Sequence, residues 1–274
     1  MPCVPILKTE ALVLRAIEFS ETSLVVWLFT RDHGRVHVIA KGARRARSPF
    51  EGALEPLVRA EVLFYRKARA EALETAKEVD PIDLHLGLRT ALPRMVRGAY
   101  LAELLAAFSE PEVPAPETYD AAAAALALLA RGPLAGLDLA LARCELAVLG
   151  GAGLAPVLDR CARCRGPVFG EGVDRAWFSP GAGGALCLAH GDGERGTAAV
   201  TRDGLRPLLA LALGRDVDLT AAPAFRAVRG LLDAYVAFHL GRPLGLARRL
   251  EPVGPPARAR GPGPRGAPRQ RTKR

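Results

Sequence analysis

The fold is decided by Leu24-Val-Val-Trp-Leu-Phe29 and Val36-His-Val-Ile-Ala40, two runs separated by the turn Arg31-Asp-His-Gly34. Runs rich in β-branched and aromatic residues that end at turn residues are typical of strands. Three more runs of this kind lie nearby, at Ala11–Leu14, Val58–Tyr65 and Leu73–Ala76. Five short strands in so little chain predict a small barrel, for which the OB-fold is the expected form and an SH3-like barrel the alternative.

Beyond Asp80-Pro81 the apolar residues recur at helical spacing, starting with Leu84, Leu88 and Leu92, until Pro111 breaks the pattern. Further helices are predicted at Tyr119–Arg131, Leu134–Leu149, Asp203–Leu213 and Pro223–Leu240. The sequence therefore predicts an α+β multidomain protein. Its parts are a barrel domain (1–80), a first helical part (81–155), a metal-binding insertion (156–195), a second helical part (196–253) and a disordered basic tail (254–274).

The formal net charge is +9, with a pI near 9.8. Seven of the basic residues lie after Pro255, in a segment without acidic residues that is rich in proline and glycine. Such a segment cannot bury enough apolar area to offset its ordering entropy, so we expect it to be disordered. The preceding residues carry only a small excess, and the function must be sought in where individual cations lie.

The sequence predicts no membrane segment. No signal-peptide pattern opens the chain, and no run reaches the ~18–20 apolar residues that span a bilayer. Five cysteines, an odd number, do not resemble a secreted disulfide framework. We therefore expect a cytoplasmic protein.

Two pairs of soft ligands predict a metal site. They are Cys161-Ala-Arg-Cys164 and Cys187-Leu-Ala-His190, separated by 22 residues. Two intervening residues let a tight turn direct both side chains of a pair at one ion, so Cys161, Cys164, Cys187 and His190 form a structural Cys3His zinc site. Gly166 and Gly191, just beyond each pair, are expected to permit the left-handed or close-approach backbone that these turns need. Arg160, Arg163 and Arg165 are expected to favour thiolates and offset the charge of the cluster.

Other interpretations of the cysteines fit less well. A catalytic zinc keeps one position open for water, whereas four protein ligands close the shell. A thioredoxin-like pair would open a helix in a βαβ unit, which the pattern lacks. We expect the metal to fold its insertion rather than to contact nucleic acid. Val168, Phe169, Trp177 and Phe178 are expected to form an apolar cap beside it, and Cys144 to be a small buried residue.

A basic loop predicts contact with phosphates. Lys41, Arg44, Arg45 and Arg47 follow the third predicted strand, and no acidic residue follows them until Glu51. Such cations beside a barrel neutralise phosphates and release counterions, although a solvated basic loop is the simpler alternative. Tyr65, with Arg66 and Lys67, is a candidate platform for a base. We expect Trp27 and Phe29 to lie in the core.

The chain contains no phosphate-binding loop, no nucleophile elbow and no acidic pair placed to hold two metals, so we expect a protein that is not an enzyme.

Together these residues resemble the RecO family of bacterial DNA-repair recombination mediators. The resemblance covers about residues 7–250 and is most specific in the N-terminal half. It is carried by Thr9–Arg15, Phe19–Leu24, Phe29–Gly34, Ala40–Arg45, Ser48, Leu54–Pro56, Leu149-Gly150, Gly153–Pro156, Cys161–Cys164, Phe178–Pro180, Gly183-Gly184, Cys187, Tyr235, His239–Gly241 and Pro243-Leu244. Two positions depart from the family pattern: His190 stands where many members have cysteine, and Gly245-Leu246 where they often have Lys-Ser.

The resemblance implies an N-terminal OB-fold that binds single- and double-stranded DNA, followed by a helical domain that carries the zinc. RecO proteins anneal strands coated by single-strand-binding protein and, with RecR, help to load the RecA recombinase. They act in the cytoplasm, at the nucleoid. The alternative function is a zinc-ribbon adaptor for protein interaction or transcription, with incidental DNA binding through its tail. A metal hydrolase is a third hypothesis.

Overall fold

The computed structural model describes residues 5–66 and 73–253. Five N-terminal strands form a closed barrel in the order β1-β2-β3-β5-β4. They are β1 (Ile6–Glu18), β2 (Leu24–Thr30), β3 (Gly34–Ala40), β4 (Arg59–Tyr65) and β5 (Glu74–Asp83). The small barrel expected from the strand pattern is therefore present. The predicted tail at 254–274 lies outside the described residues.

Alternation along each strand separates an inner from an outer face of the barrel. In β3, burial alternates at every residue, because successive side chains of a strand point to opposite faces. The inner face forms one apolar core, which includes Ala11, Val13, Val26, Leu28, Val36, Val38, Ala60, Val62 and Phe64. Part of the outer face instead packs on helices: Leu12, Leu14 and Phe29 belong to a second core.

The barrel differs from the sequence expectation in two respects. Strand β5 continues to Asp83, which pairs with Arg59, so the predicted boundary after residue 80 falls inside a strand. Strand β3 pairs in parallel with β5, and β5 lies between β3 and β4. The chain from residue 41 to residue 58 is thus a long connection between two strands, β3 and β4, that are not neighbours in the barrel.

The helical part comprises α1 (Leu92–Phe108), α2 (Pro116–Arg131) and α3 (Leu137–Gly151), then α5 (Arg202–Ala212) and α6 (Ala222–Leu240) after the segment that contains the four predicted metal ligands. Prolines stand in the first turns of α1, α2 and α6, where no backbone hydrogen bond is lost. The first helix begins later than predicted. Leu84 is exposed, and Leu88 lies in a 3-10 helix, Leu86–Thr90, that precedes α1.

The segment that contains the four predicted metal ligands lies between α3 and α5. It contains β6 (Ala176–Ser179), β7 (Gly184–Leu186), the single turn α4 (Leu188–Gly191) and β8 (Ala198–Val200), with the sheet order β7-β6-β8. Val168 and Phe178 are buried in the same core as the helices. Phe169 and Trp177 are only partly buried. Three of the four predicted cap residues, Val168, Phe169 and Phe178, are therefore continuous with the helical core.

The barrel and the helices are in close contact. Gly34 has a φ of 62°, and a Cβ there would lie 2.4 Å from the carbonyl oxygen of Val113. Glycine is thus required where the β2–β3 turn meets the segment after α1. Arg31 forms a bidentate pair with Asp120, with both N–O distances at 3.0 Å. No helix in the described ranges is both long and apolar enough to cross a bilayer.

Candidate metal centre and nucleic-acid interface

The four predicted ligands lie together. Their donor atoms are all within 4.8 Å of one another. The Sγ of Cys187 is 3.2 Å from Nδ1 of His190, the Sγ of Cys161 is 3.9 Å from the same nitrogen, and the Sγ atoms of Cys164 and Cys187 are 4.0 Å apart. That last distance is far longer than a disulfide bond.

The arrangement fits a tetrahedral zinc ion. Zinc bonds of about 2.3 Å to sulfur place tetrahedral ligand atoms about 3.8 Å apart, close to the separations in the cluster. Three thiols and one imidazole also favour zinc over magnesium or calcium, because the latter two ions prefer oxygen ligands. All four positions are supplied by protein, so the shell is closed and resembles a structural rather than a catalytic site.

Backbone hydrogen bonds shape the two turns. The N–H of Cys161 donates to the Gly166 carbonyl at 2.8 Å, and the N–H of Arg165 donates to the Cys161 carbonyl at 2.9 Å. In the second turn, Cys187 precedes α4 and its carbonyl accepts from the N–H groups of His190 and Gly191. Each ligand pair is therefore fixed by a closed local turn.

One of the two predicted glycines has the expected role and the other does not. In the first turn the left-handed residue is Arg165, with a φ of 64°, and not Gly166. Gly191 is needed for close approach, because a Cβ there would lie 2.2 Å from Cδ1 of Trp177.

The electrostatics of the cluster favour a thiolate at Cys161 over one at Cys187. Burial by itself would raise the pKa of Cys161, but the backbone N–H groups of Cys164, Cys187 and Arg163 overcome it and lower the pKa to about 6. Burial and the neighbouring Cys161 raise the pKa of Cys187. A divalent cation supplies positive charge that stabilises both of these cysteines as thiolates.

Two of the three arginines near the cluster face carboxylates: Arg160 lies 3.4 Å from Asp159, and Arg163 lies 3.5 Å from Glu194.

The basic loop leaves the barrel rim at which β3 ends. Lys41, Arg44, Arg45 and Arg47 are all exposed. Arg44 is held by the β1–β2 turn, because its Nη2 lies 3.1 Å from Oε1 of Glu18 and its Nη1 donates to the Ser20 carbonyl at 3.1 Å. Among the described residues the other three cations form no ion pair. A groove of about 430 Å³ lies against this loop.

The second predicted group lies elsewhere. Strand β5 runs parallel to β3, and β4 runs antiparallel to β5, so β4 ends at the rim where β3 begins. Tyr65 is half-buried there, and Arg66 pairs with Glu112 at 2.8 Å and with Glu74 at 3.8 Å. Lys67 lies outside the described residues. The structure thus separates Tyr65 and Arg66 from the basic loop.

Comparison with known proteins agrees with this architecture. A family model described as Recombination protein O N terminal matches residues 4–85, and one described as Recombination protein O C terminal matches residues 89–247. The chain belongs to the RecO family. It is 38% identical over 254 residues to the DNA repair protein RecO of Anaeromyxobacter dehalogenans strain 2CP-C, covering 90% of this chain and 97% of the relative. The corresponding values for the RecO of Myxococcus xanthus are 34% over 252 residues, 89% and 97%.

The structure shows the contacts made at the two positions that depart from the RecO pattern, His190 and Gly245-Leu246. His190 takes its place among the four ligands, so the cluster has a complete donor set with one charge fewer than four cysteines would give. Gly245 and Leu246 donate their backbone N–H groups to the carboxylate of Glu103, at 2.7 and 3.1 Å. This contact anchors the segment after α6.

Sequence reasoning about this RecO chain missed one cleft. Phe29 is buried as expected, but Trp27 is only partly buried and lines a cleft of about 710 Å³ between barrel and helices. The alternation of side chains along β2 predicts that Trp27 lies on the outer face of the barrel, because its neighbours Val26 and Leu28 point inward. Arg242 and Arg249, on the opposite wall, are too distant in sequence for any local pattern to group them with it.

Proposed function

We propose that this protein is a recombination mediator that binds single- and double-stranded DNA and anneals strands coated by single-strand-binding protein. With RecR as partner it helps to load the RecA recombinase. The observation that carries the proposal is the exposed basic loop on a closed five-stranded barrel, in a chain of the RecO family. We assign the barrel as an OB-fold, an architecture that binds oligonucleotides on its strands and loops.

The chemistry asked of the protein is electrostatic. Annealing brings two polyanions together, and cations that neutralise phosphates and release counterions lower their repulsion. Lys41, Arg45 and Arg47 are suited to this role because none of them is engaged in an ion pair within the described part of the chain. No bond is made or broken, so the proposal needs no catalytic residue. It places the protein in the cytoplasm, at the nucleoid.

We further propose that zinc is the resident metal and that its role is structural. The ligand segment contributes Val168 and Phe178 to the helical core, so loss of the ion would disturb packing well beyond the cluster. In this account residues 156–195 are an insertion within one helical domain, and residues 1–80 with the remainder of β5 form the DNA-binding domain.

Annealing tests the proposal. Complementary strands are coated with single-strand-binding protein, and pairing is followed by fluorescence with the wild type and with a variant in which Lys41, Arg44, Arg45 and Arg47 are replaced by Glu. We expect wild-type annealing and its loss in the variant. The matched control reverses four exposed cations of the helical half and should anneal normally: Arg195, Arg206, Arg215 and Arg226.

Two results would contradict the proposal. Wild-type protein that does not pair the coated strands would refute the mediator function. Equal loss in both fourfold variants would show that net charge, and not the loop, is responsible. Addition of purified RecR and RecA, with RecA filament formation as the measurement, tests the loading step separately.

A further inference from the structure

A second surface of the barrel carries features of a nucleic-acid site. The cleft of about 710 Å³ lies between the outer face of β1 and β2, helix α1 and the segment after α6. Its lining includes Arg15, Trp27, Arg242 and Arg249. Volumes of this size are typical of sites that enclose a small ligand or part of a larger one.

Trp27, on the barrel side of the cleft, is stacked against His37, which lies outside the lining. The rings of Trp27 on β2 and His37 on β3 are 4.5 Å apart between centroids and inclined by 23°. They are direct cross-strand neighbours. The guanidinium carbons of Arg15 and Arg35 each lie 5.9 Å from the centre of the Trp27 ring. Two arginines over an aromatic ring that lines a cavity combine a stacking surface with positive charge.

The opposite wall adds more cations at a fixed position. Arg242 and Arg249 are exposed, and neither forms an ion pair within residues 5–66 and 73–253. The segment that bears them is held by Glu103, which accepts the N–H groups of Gly245 and Leu246. Glu103 is the only acidic residue of the lining, so the cleft carries three arginines against one carboxylate that is already hydrogen-bonded.

The cleft shares one lining residue with the groove beside the basic loop. Pro56 lines both the groove beside Arg44, Arg45 and Arg47 and the cleft that contains Trp27.

We propose that this cleft is the single-strand-specific site of the protein, in which an unpaired DNA base contacts Trp27 while Arg15, Arg242 and Arg249 hold the flanking phosphates. The inference rests on the proposed function and deepens it, because the loop binds phosphates of either DNA form and the cleft selects unpaired bases. A base within a duplex is stacked on both faces and has none free for Trp27.

Tryptophan fluorescence tests the contact directly. The chain has two tryptophans, so the difference between the wild type and Trp27→Phe isolates the signal of Trp27. Oligothymidine of about 15 nucleotides, within the length that one such barrel binds, should quench the wild type and leave Trp27→Phe nearly unchanged. A duplex of equal length should bind without this quenching.

Affinity measurements test the cations. The double variant Arg242→Glu, Arg249→Glu should bind oligothymidine about tenfold more weakly and the duplex with unchanged affinity. Arg226→Glu, an exposed α6 cation away from the cleft, is the control and should change neither affinity. Thermal unfolding of each variant checks that it is folded, and His37→Ala offers a second perturbation of the stack, with reduced quenching expected.

Each outcome separates the cleft from the proposed function. Oligothymidine that binds without quenching Trp27, or a double variant that weakens single strand and duplex equally, overturns the cleft and leaves the mediator function intact. Wild-type protein that binds neither DNA form overturns both.

Discussion

Glu18→Gln should strengthen DNA binding by releasing a cation that is already present. Arg44 lies 3.1 Å from the Glu18 carboxylate, whereas Lys41, Arg45 and Arg47 have no such partner among the described residues. An arginine held by a carboxylate contributes less to counterion release, because its own charge is already compensated. The substitution removes that compensation and leaves the loop backbone unaltered, since the Arg44 N–H donates to the Thr22 carbonyl.

The magnitude follows from the number of free cations. Each phosphate contact on single-stranded DNA contributes about 0.7 to the slope of log affinity against log salt, so three free cations give the loop a slope near 2 and four give one near 3. Between roughly 50 and 200 mM salt, the loop's contribution to affinity should fall about 20-fold in the wild type and about 50-fold in Glu18→Gln. At the lower salt the variant should bind several-fold more tightly.

Fluorescence anisotropy of a labelled oligothymidine over a salt series measures the slope. Glu21→Gln is the matched control, because Glu21 is exposed in the same β1–β2 turn and forms no ion pair within the described residues. It removes the same charge without releasing Arg44, so its slope should equal that of the wild type. Equal slopes for all three proteins, or an equal increase in both variants, would refute the argument from the Arg44–Glu18 pair.

Three further predictions concern the metal, pH and the tail. Cys164→Ser should lose stoichiometric zinc, measured by elemental analysis, and should unfold at a lower temperature than the wild type. The control Cys144→Ala, which lies outside the cluster, should retain the metal. Wild-type protein that is purified without chelator and contains no zinc would refute the site. The Arg131 guanidinium lowers the pKa of Asp83 to about 2, whereas the pKa in the unfolded chain is near 4. The ion pair therefore stabilises the fold above about pH 4, and this stabilisation is lost as the pH falls towards 2. Denaturant unfolding should therefore show a smaller acid loss of stability in Arg131→Gln than in the wild type, and identical acid profiles would contradict the pairing. Deletion of residues 254–274 should weaken DNA binding but leave a measurable site; complete loss would favour the adaptor that binds DNA only through its tail.

Local patterns were sufficient for most of the helices and strands and for the grouping of Cys161, Cys164, Cys187 and His190. A strand is recognised from alternation over a few residues, and in β3 the buried residues include Val36, Val38 and Ala40. A spacing of two residues between metal ligands likewise indicates a tight turn, whatever the rest of the chain does. Local patterns were insufficient where the end of a strand depends on pairing with another strand. Strand β5 extends to Asp83 because Arg59 of β4 pairs with that residue, although Asp80-Pro81 predicts the end of the strand from the local sequence.

The sequence by itself determined that five strands precede a helical domain, which four side chains can share a metal ion, and where the cations of the loop cluster in the chain. Only the tertiary structure decided the strand order, which set Tyr65 and Arg66 at the rim opposite the loop, and the pairing of Arg44 with Glu18. It also brought Trp27 into one cleft with Arg242 and Arg249. The physical reason is that periodicity and ligand spacing are encoded between near neighbours, whereas the charge and shape of a surface are set by contacts between residues far apart in the chain.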